Sequence, residues 1–441
     1  MKRKLLSALL LGASLTASAQ SSKINFTEYD LPNGLHVILH QDKTTPTVAV
    51  TMMYHVGSKN EDPERTGFAH FFEHLMFEGS ENVERGKYAS MVQSAGGAVN
   101  ANTSFDRTYY YQILPSNQLA LGLWLEADRL RAAKIDAQGV ATQRQVVKEE
   151  KKQRIDNQPY GTLLENTFAT AYAVHPYRWV PIGSAQYIDQ ATLPEFMQFY
   201  KTFYVPNNAT LTIAGDIDVN QAKQMVEQYF AAIPKGTLPI AQPTVQEPAQ
   251  LEESRRVIFD NIQLPAVVQA YHIPAQGTPD SYALKMLTTL LSSGASSRLN
   301  KALVDNQQKA VTVTSIPMSL EQPGLFINLA VANRGVDPDE LERSVDAEFE
   351  RVKKEPVSDK EFQKLRNQIE TEFINGLATL EGRTEKLASY HALYGNTNLI
   401  NTELDKYLAV TKEDLMRVAN QYLTKENRVV LHYLPKASQM N

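Results

Sequence analysis

Three side chains close together in the chain could act on one ion: His70, Glu73 and His74, in the stretch Gly67-Phe68-Ala69-His70-Phe71-Phe72-Glu73-His74-Leu75-Met76-Phe77. On a helix, positions i and i+4 lie one above the other, so both imidazoles can aim at a common point. Glu73 is one turn from His70, within reach of a water on that ion. Imidazole nitrogen suits zinc, and two histidines with one carboxylate leave a fourth position open for water. Zinc lowers the pKa of such a water toward neutrality, and a glutamate base helps turn it into a nucleophile. Without a metal, the same stretch is an amphipathic core helix whose histidines are satisfied by hydrogen bonds. The rest of the chain has to decide between the two.

The His-x-x-Glu-His spacing is the reverse of the His-Glu-x-x-His helix of zinc proteases, and the chain holds only 9 histidines in 441 residues. Such a site needs a third protein ligand. The segment Val140 to Ile155 has helical patterning, with an apolar stripe and a charged outer face. Within it Glu150 follows His74 by 76 residues and Gln143 precedes Glu150 by seven, so the two share a helix face. A carboxylate from a neighbouring helix could complete a His-His-Glu site. Spacing alone does not select Glu150 among 49 acidic residues, and on spacing alone a solvated helix face accounts for it better.

The elements around these residues can be read in order. Leu31-Pro32-Asn33-Gly34 is a turn leading to a strand with Leu35, Val37 and Leu39 on one side. Val48 to Val56 is a second β-rich run ending at Gly57-Ser58, and a polar loop then leads into the histidine helix. Glu84 to Ser94 has helical spacing and stops at Gly96-Gly97. Ala98 to Ser104 and Thr108 to Leu114 read as two antiparallel strands, with Tyr109, Tyr110 and Tyr111 as strand packing. Leu119 to Ala133 is helical. His36, His40 and His55 fall on or near strands and suit surface or cross-strand roles, while His272, His391 and His432 stand alone in the sequence.

A repeat organises the whole. Thr192 to Tyr204 reads as a helix, followed by the strand Ala209 to Ala214, and the stretch aligns without gaps at an offset of 219 with the segment from Thr411. Phe203 falls on Tyr422, Asn208 on Asn427 and Leu211 on Val430. Two similar α+β halves follow, each an antiparallel-rich sheet packed with helices. Pro239, Pro243 and Pro248 lie among polar residues and mark a linker over 234–254, between an N-terminal unit at 20–233 and a C-terminal unit at 255–441. Three helical patterns are expected in the second unit after its strand near Leu325 to Ala332.

Composition excludes several classes. At 441 residues with 43% hydrophobic and 21% charged residues, the chain can bury large cores in two to three domains. A formal net charge of −5 without a basic cluster beyond the first residues argues against nucleic acid. Residues 1–19 read as a secretory signal: Lys2, Arg3 and Lys4, an apolar run from Leu5 to Leu15, and Ala17-Ser18-Ala19 as a cleavage site. Its removal takes the formal charge from −5 to −8. No later run is long enough for a transmembrane anchor. With no cysteine there is neither disulfide nor thiol ligand. An exported, periplasmic protein is expected.

Leu31-x-Asn33-Gly34-Leu35, Gly57-Ser58, Gly67-x-Ala69-His70-x-x-Glu73-His74-x-x-Phe77, Asn100-Ala101, Val146-Val147-x-x-Glu150 and Ser296-Ser297-Arg298-Leu299 together resemble the pitrilysin (insulinase) family of inverted zincins. The similarity is to its half-length branch, with mitochondrial processing peptidase and bacterial relatives, and runs from about Phe26 to Pro435. The resemblance implies two homologous halves per chain and two chains closing as a clamshell dimer around a chamber that admits unfolded peptides. It implies one zinc ion per chain, held by His70, His74 and Glu150, with Glu73 as general base. It also implies a peptide substrate added as a strand beside Asn100, Ala101, Asn102 and Thr103, with Phe77 among the substrate-binding residues.

Two positions depart from the family. Its members usually carry a second glutamate seven residues before the ligand glutamate; here it is Gln143, which can hydrogen-bond around the metal but adds no charge. Active members also carry an Arg and a Tyr seven apart that stabilise the oxyanion; the aligned positions here are Val304 and Val311. The expectation is a metal-bearing catalytic subunit working as a heterodimer with a related chain that lacks the histidine motif and supplies the Arg/Tyr pair. The alternative is a non-catalytic peptide-binding or assembly subunit of the same fold.

Overall fold

The computed structural model describes residues 23–436. The secretory signal read over residues 1–19 lies outside them. Two mixed sheets form, each with a parallel pair near one side and antiparallel strands elsewhere. The first contains β1 (Thr27–Asp30), β2 (His36–Gln41), β3 (Thr47–Tyr54), β4 (Ala98–Thr103), β5 (Thr108–Pro115) and β6 (Ala209–Gly215), in the order β1-β2-β6-β3-β5-β4. The second contains β7 (Ser254–Asp260), β8 (Ala266–Ile273), β9 (Ala310–Met318), β10 (Gly324–Ala332) and β11 (Arg428–Pro435), in the order β7-β11-β8-β10-β9. Apart from β1 the two orders are the same, strand for strand, and both pair their first and last strands in parallel.

The first half carries α1 (Phe68–Leu75), α2 (Lys87–Ser94), α3 (Leu119–Ala132), α4 (Ala137–Lys151), α5 (Leu163–Ala171), α6 (Ala185–Gln190), α7 (Leu193–Phe203) and α8 (Val219–Phe230). The second carries α9 (Pro279–Ser292), α10 (Pro338–Lys354), α11 (Asp359–Gly376), α12 (Leu380–Tyr394), α13 (Leu399–Leu408) and α14 (Lys412–Tyr422). Five helices thus follow β10, where the sequence pattern pointed to three. Residues 231–253 hold no regular element.

The repeat is visible in detail. Thr192 and Glu195 form a capping box at the start of α7, and Thr411 and Asp414 form one at the start of α14. After each helix an asparagine side chain donates back to the helix's last turn: Asn208 Nδ2 to Phe203 O at 2.9 Å, and Asn427 Nδ2 to Tyr422 O at 2.8 Å.

The halves also exchange helices. α5 packs Phe168 and Ala171 on β8 and β11 of the second sheet, while α12 packs on β3 and β6 of the first, with Leu387 against Ile38 and Ala388 against Met53 and Tyr109. Each half therefore closes a face of the other's sheet. α5 lies within α12 at the same offset of 219, so the exchange obeys the repeat. Among the described residues no helix is long and apolar enough to cross a membrane.

Two element boundaries differ from the sequence pattern for local reasons. α2 starts at Lys87 rather than near Glu84 because Gly86 takes a left-handed φ of 71° and opens the helix there. α4 begins at Ala137, capped by the Asp136 carboxylate on Gly139 N, and gives way after Lys151 to a widened π-type turn through Asp156.

Candidate metal centre

The face of α1 that does not carry chemistry explains its position. Phe68, Phe71, Phe72 and Leu75 recur at helical spacing and are buried. Phe68 and Phe71 stack on Phe196 of α7 at 4.6 and 4.7 Å between ring centroids, and Phe72 stacks on Phe199 at 5.4 Å. From behind, the Tyr110 hydroxyl of β5 donates to Phe72 O. With that stripe anchored, His70, Glu73 and His74 point the other way. Gly67 starts the helix at a φ of 98°, and a side chain on Gly183 would fall 2.2 Å from its nitrogen, so the loop closes tightly over the helix entry.

The helix start is also held by a residue that sequence reasoning did not single out. Both oxygens of Glu61 accept from backbone nitrogens, Oε2 from Gly67 N and Oε1 from Ala69 N, each at 2.8 Å. These N–H groups have no partner inside the helix, and a carboxylate at a helix N-terminus satisfies them and complements its dipole. Glu61 is buried. It is one acid in a polar loop, and no spacing distinguishes it.

α4 packs against α1 and brings Glu150 to the histidines. Glu150 Oε2 lies 3.1 Å from His74 Nε2 and 3.6 Å from His70 Nε2. The side chains are only 12%, 22% and 15% exposed for His70, His74 and Glu150. The imidazoles are nearly perpendicular, at 84°. The three donor atoms lie within 4.8 Å of one another, yet Glu150 Oε2 is buried without a hydrogen-bond partner. Two imidazole nitrogens and a carboxylate oxygen converging on one point fit a divalent cation of the zinc type.

Burial pushes the His70 imidazole down to about 4, with the His74 charge adding to it, so His70 is neutral, as a ligand must be. Contact with His74 holds the Glu150 carboxyl below its ordinary range, against burial and with help from the Arg154 charge. Glu73 behaves oppositely. Burial raises its carboxyl, tempered by a hydrogen bond that its Oε2 accepts from Thr103 Oγ1 at 2.6 Å.

β4 is the free edge of the first sheet and lies against α1. Asn100 and Asn102 are exposed on it, and Ala101 and Thr103 are half-buried on the face toward α1. Phe77 is half-buried, its ring against Tyr88 and Tyr110, so its contacts are with the aromatic cluster behind the helix. Gln143 donates from Nε2 to Glu78 Oε1 at 2.5 Å, and its own oxygen is buried without a partner. In the second half, Val304 packs against the core in the turn after α9, and Val311 is 52% exposed on β9, the strand that occupies the position of β4.

Two other histidine–carboxylate groups occur among the described residues. His36 and His391 stack with 3.3 Å between ring centroids and 3° between planes, so their nitrogens run parallel and do not converge. His36 bonds Asp30 and Glu28 across the β1–β2 pair instead, a cross-strand role. His432 meets Glu342, whose oxygens already hold Arg255 and Arg428. In both groups the histidine is taken up by hydrogen bonds to carboxylates of the surrounding network.

Known proteins share this arrangement of the chain. Residues 36–179 match the family model described as Insulinase (Peptidase family M16), and residues 190–369 the one described as Peptidase M16 inactive domain. A zinc protease PqqE of Helicobacter pylori is 32% identical over 419 residues, covering 94% of both chains. A probable mitochondrial-processing peptidase subunit beta of Arabidopsis thaliana is 25% identical, covering 89% of this chain and 75% of its own length. The crystal structure of a protease from Helicobacter pylori superposes with a TM-score of 0.90 at 30% identity, covering 94% of this chain and all of that one. The chain belongs to the insulinase (M16) peptidase family.

Proposed function

We propose that this chain is the metal-bearing catalytic subunit of a zinc endopeptidase that cleaves extended, unfolded peptides. The observation that carries the proposal is the convergence of His70 Nε2, His74 Nε2 and the unpartnered Glu150 Oε2, with the Glu73 carboxylate one helical turn away. A zinc ion held there supplies Lewis-acid polarisation of the scissile carbonyl and lowers the pKa of the attacking water. Glu73 moves the proton: Oε2 is fixed by Thr103, and Oε1 is left to take a proton from water and return it to the leaving nitrogen. β4 is the edge strand of the first sheet, and a peptide added there as a strand runs past Glu73 through Thr103.

Val304 and Val311 offer no side-chain hydrogen bond to an oxyanion. We assign that role to a related chain that closes against this one and supplies an Arg/Tyr pair. The same two valines favour a second reading, a peptide-binding subunit without turnover. In both readings residues 1–19 direct export, and the linker over 234–254 joins the two units.

Hydrolysis of a long, unstructured quenched peptide separates the readings. The mature chain alone is expected to be nearly inactive, and to gain chelator-sensitive activity when mixed with a family member that lacks the histidine motif and carries the Arg/Tyr pair. Full-rate cleavage by the chain alone overturns the divided site. No cleavage with any such partner, from a zinc-loaded chain, overturns the catalytic reading.

A further inference from the structure

Only one oxygen of Glu150 faces the histidines. Oε2 is the atom near His70 and His74, while Oε1 lies 2.7 Å from Arg154 Nη1. Arg154 stands in the widened turn Lys152–Asp156 directly after α4, and such turns recur at functional sites. An exposed pair four residues apart on a helix adds little to folding. This pair is lopsided: the Arg154 side chain is 76% exposed, but the carboxylate it holds is 15% exposed and sits between two imidazoles. Other outer support for the donors is thin among the described residues. His70 Nδ1 has no hydrogen-bond partner, and Gln143 bonds Glu78 rather than Glu150.

We propose that Arg154 is a positioning residue for the metal centre. By holding Oε1 it presents Glu150 through Oε2 alone, so a carboxylate able to chelate through both oxygens gives one. The fourth position then stays open for water. A guanidinium suits the task because its charge is permanent and its donors are fixed in a plane. The inference rests on the zinc reading of His70, His74 and Glu150.

The test compares wild type with Arg154→Ala and Arg154→Lys, by zinc competition against a chromophoric chelator and by the visible spectrum of bound cobalt(II), which weakens as coordination number rises. The metal-free melting temperature serves as the folding control. Because its side chain is largely exposed, Arg154→Ala is expected to melt as wild type does without metal. It is expected to bind zinc about tenfold more weakly, the lower end of what losing a ligand's outer partner costs. Its cobalt spectrum is expected to lose intensity as Oε1 closes on the ion, and Arg154→Lys to recover much of both. Arg154→Ala with wild-type zinc affinity and an unchanged cobalt spectrum overturns the inference and leaves the zinc reading intact. Wild type that takes up neither zinc nor cobalt overturns both.

Discussion

Thr103 donates its hydroxyl to Glu73 at 2.6 Å, tying the carboxylate on the metal helix to the edge strand where a peptide would be added. In the proposed reaction, substrate placement and proton transfer share that one contact. Glu73→Gln is expected to lower kcat by about 10²–10⁴-fold, the usual worth of a positioned base, while zinc stays at one per chain. Thr103→Val is expected to lower kcat more than it raises KM. Steady-state kinetics with metal analysis checks both; loss of zinc in Glu73→Gln would show a structural role instead.

Glu61 accepts from Gly67 N and Ala69 N at the start of α1, in a buried position. Removing a buried acceptor strands its donors at about 1–3 kcal/mol. Glu61→Ala is expected to lose that much in urea unfolding and also to weaken zinc binding, because the helix that carries both histidines loses its anchor. Glu61→Gln, which keeps one good acceptor, is expected to lose less of each.

Lys59 is 1% exposed and pairs with Asp106 at 3.1 Å and with Glu321 of the second half. Deleting one partner of a buried ion pair costs about 3–5 kcal/mol, because the remaining charge is left uncompensated. Lys59→Met is expected to destabilise by that order. The triple variant Lys59→Met, Asp106→Asn, Glu321→Gln is expected to recover part of it in denaturant unfolding.

The His36–His391 stack joins the two halves, β2 from one and α12 from the other. Burial, then the His36 charge, pushes His391 from its ordinary 6.5 down to about 4. Between those values the unfolded chain binds a proton at this position and the folded chain does not, so this contribution to stability is complete above about 6.5 and is lost as pH falls toward 4. Replacing His391 with Gln is expected to flatten the pH dependence of the unfolding midpoint in that window. An unaltered profile would remove His391 as its source.

Much of the fold was legible because its signals are local and repeated. Thr192, Glu195 and Asn208 recur in kind at Thr411, Asp414 and Asn427, each holding the same backbone contacts, so the duplicated helix and strand could be read by eye. The β4–β5 pair was legible from two runs close together in the chain, the second rich in tyrosine and other β-formers. The exchange of α5 and α12 was not: Leu387 and Ala388 make an apolar stripe that would suit a helix on either sheet, and only tertiary packing chooses. At the candidate site the histidine spacing was legible because one helix carries it. Glu150, Glu61 and Arg154 were not separable by spacing from other charged residues, since a neighbouring helix, a loop and a widened turn bring them in.

The most direct measurement is zinc stoichiometry on the purified chain, made beside His70→Ala, His74→Ala and Glu150→Ala. One zinc per wild-type chain, lost or strongly weakened in each variant while the metal-free fold is kept, is the predicted result. Wild-type zinc binding that survives all three substitutions, or none in wild type, would contradict the metal centre on which the account stands.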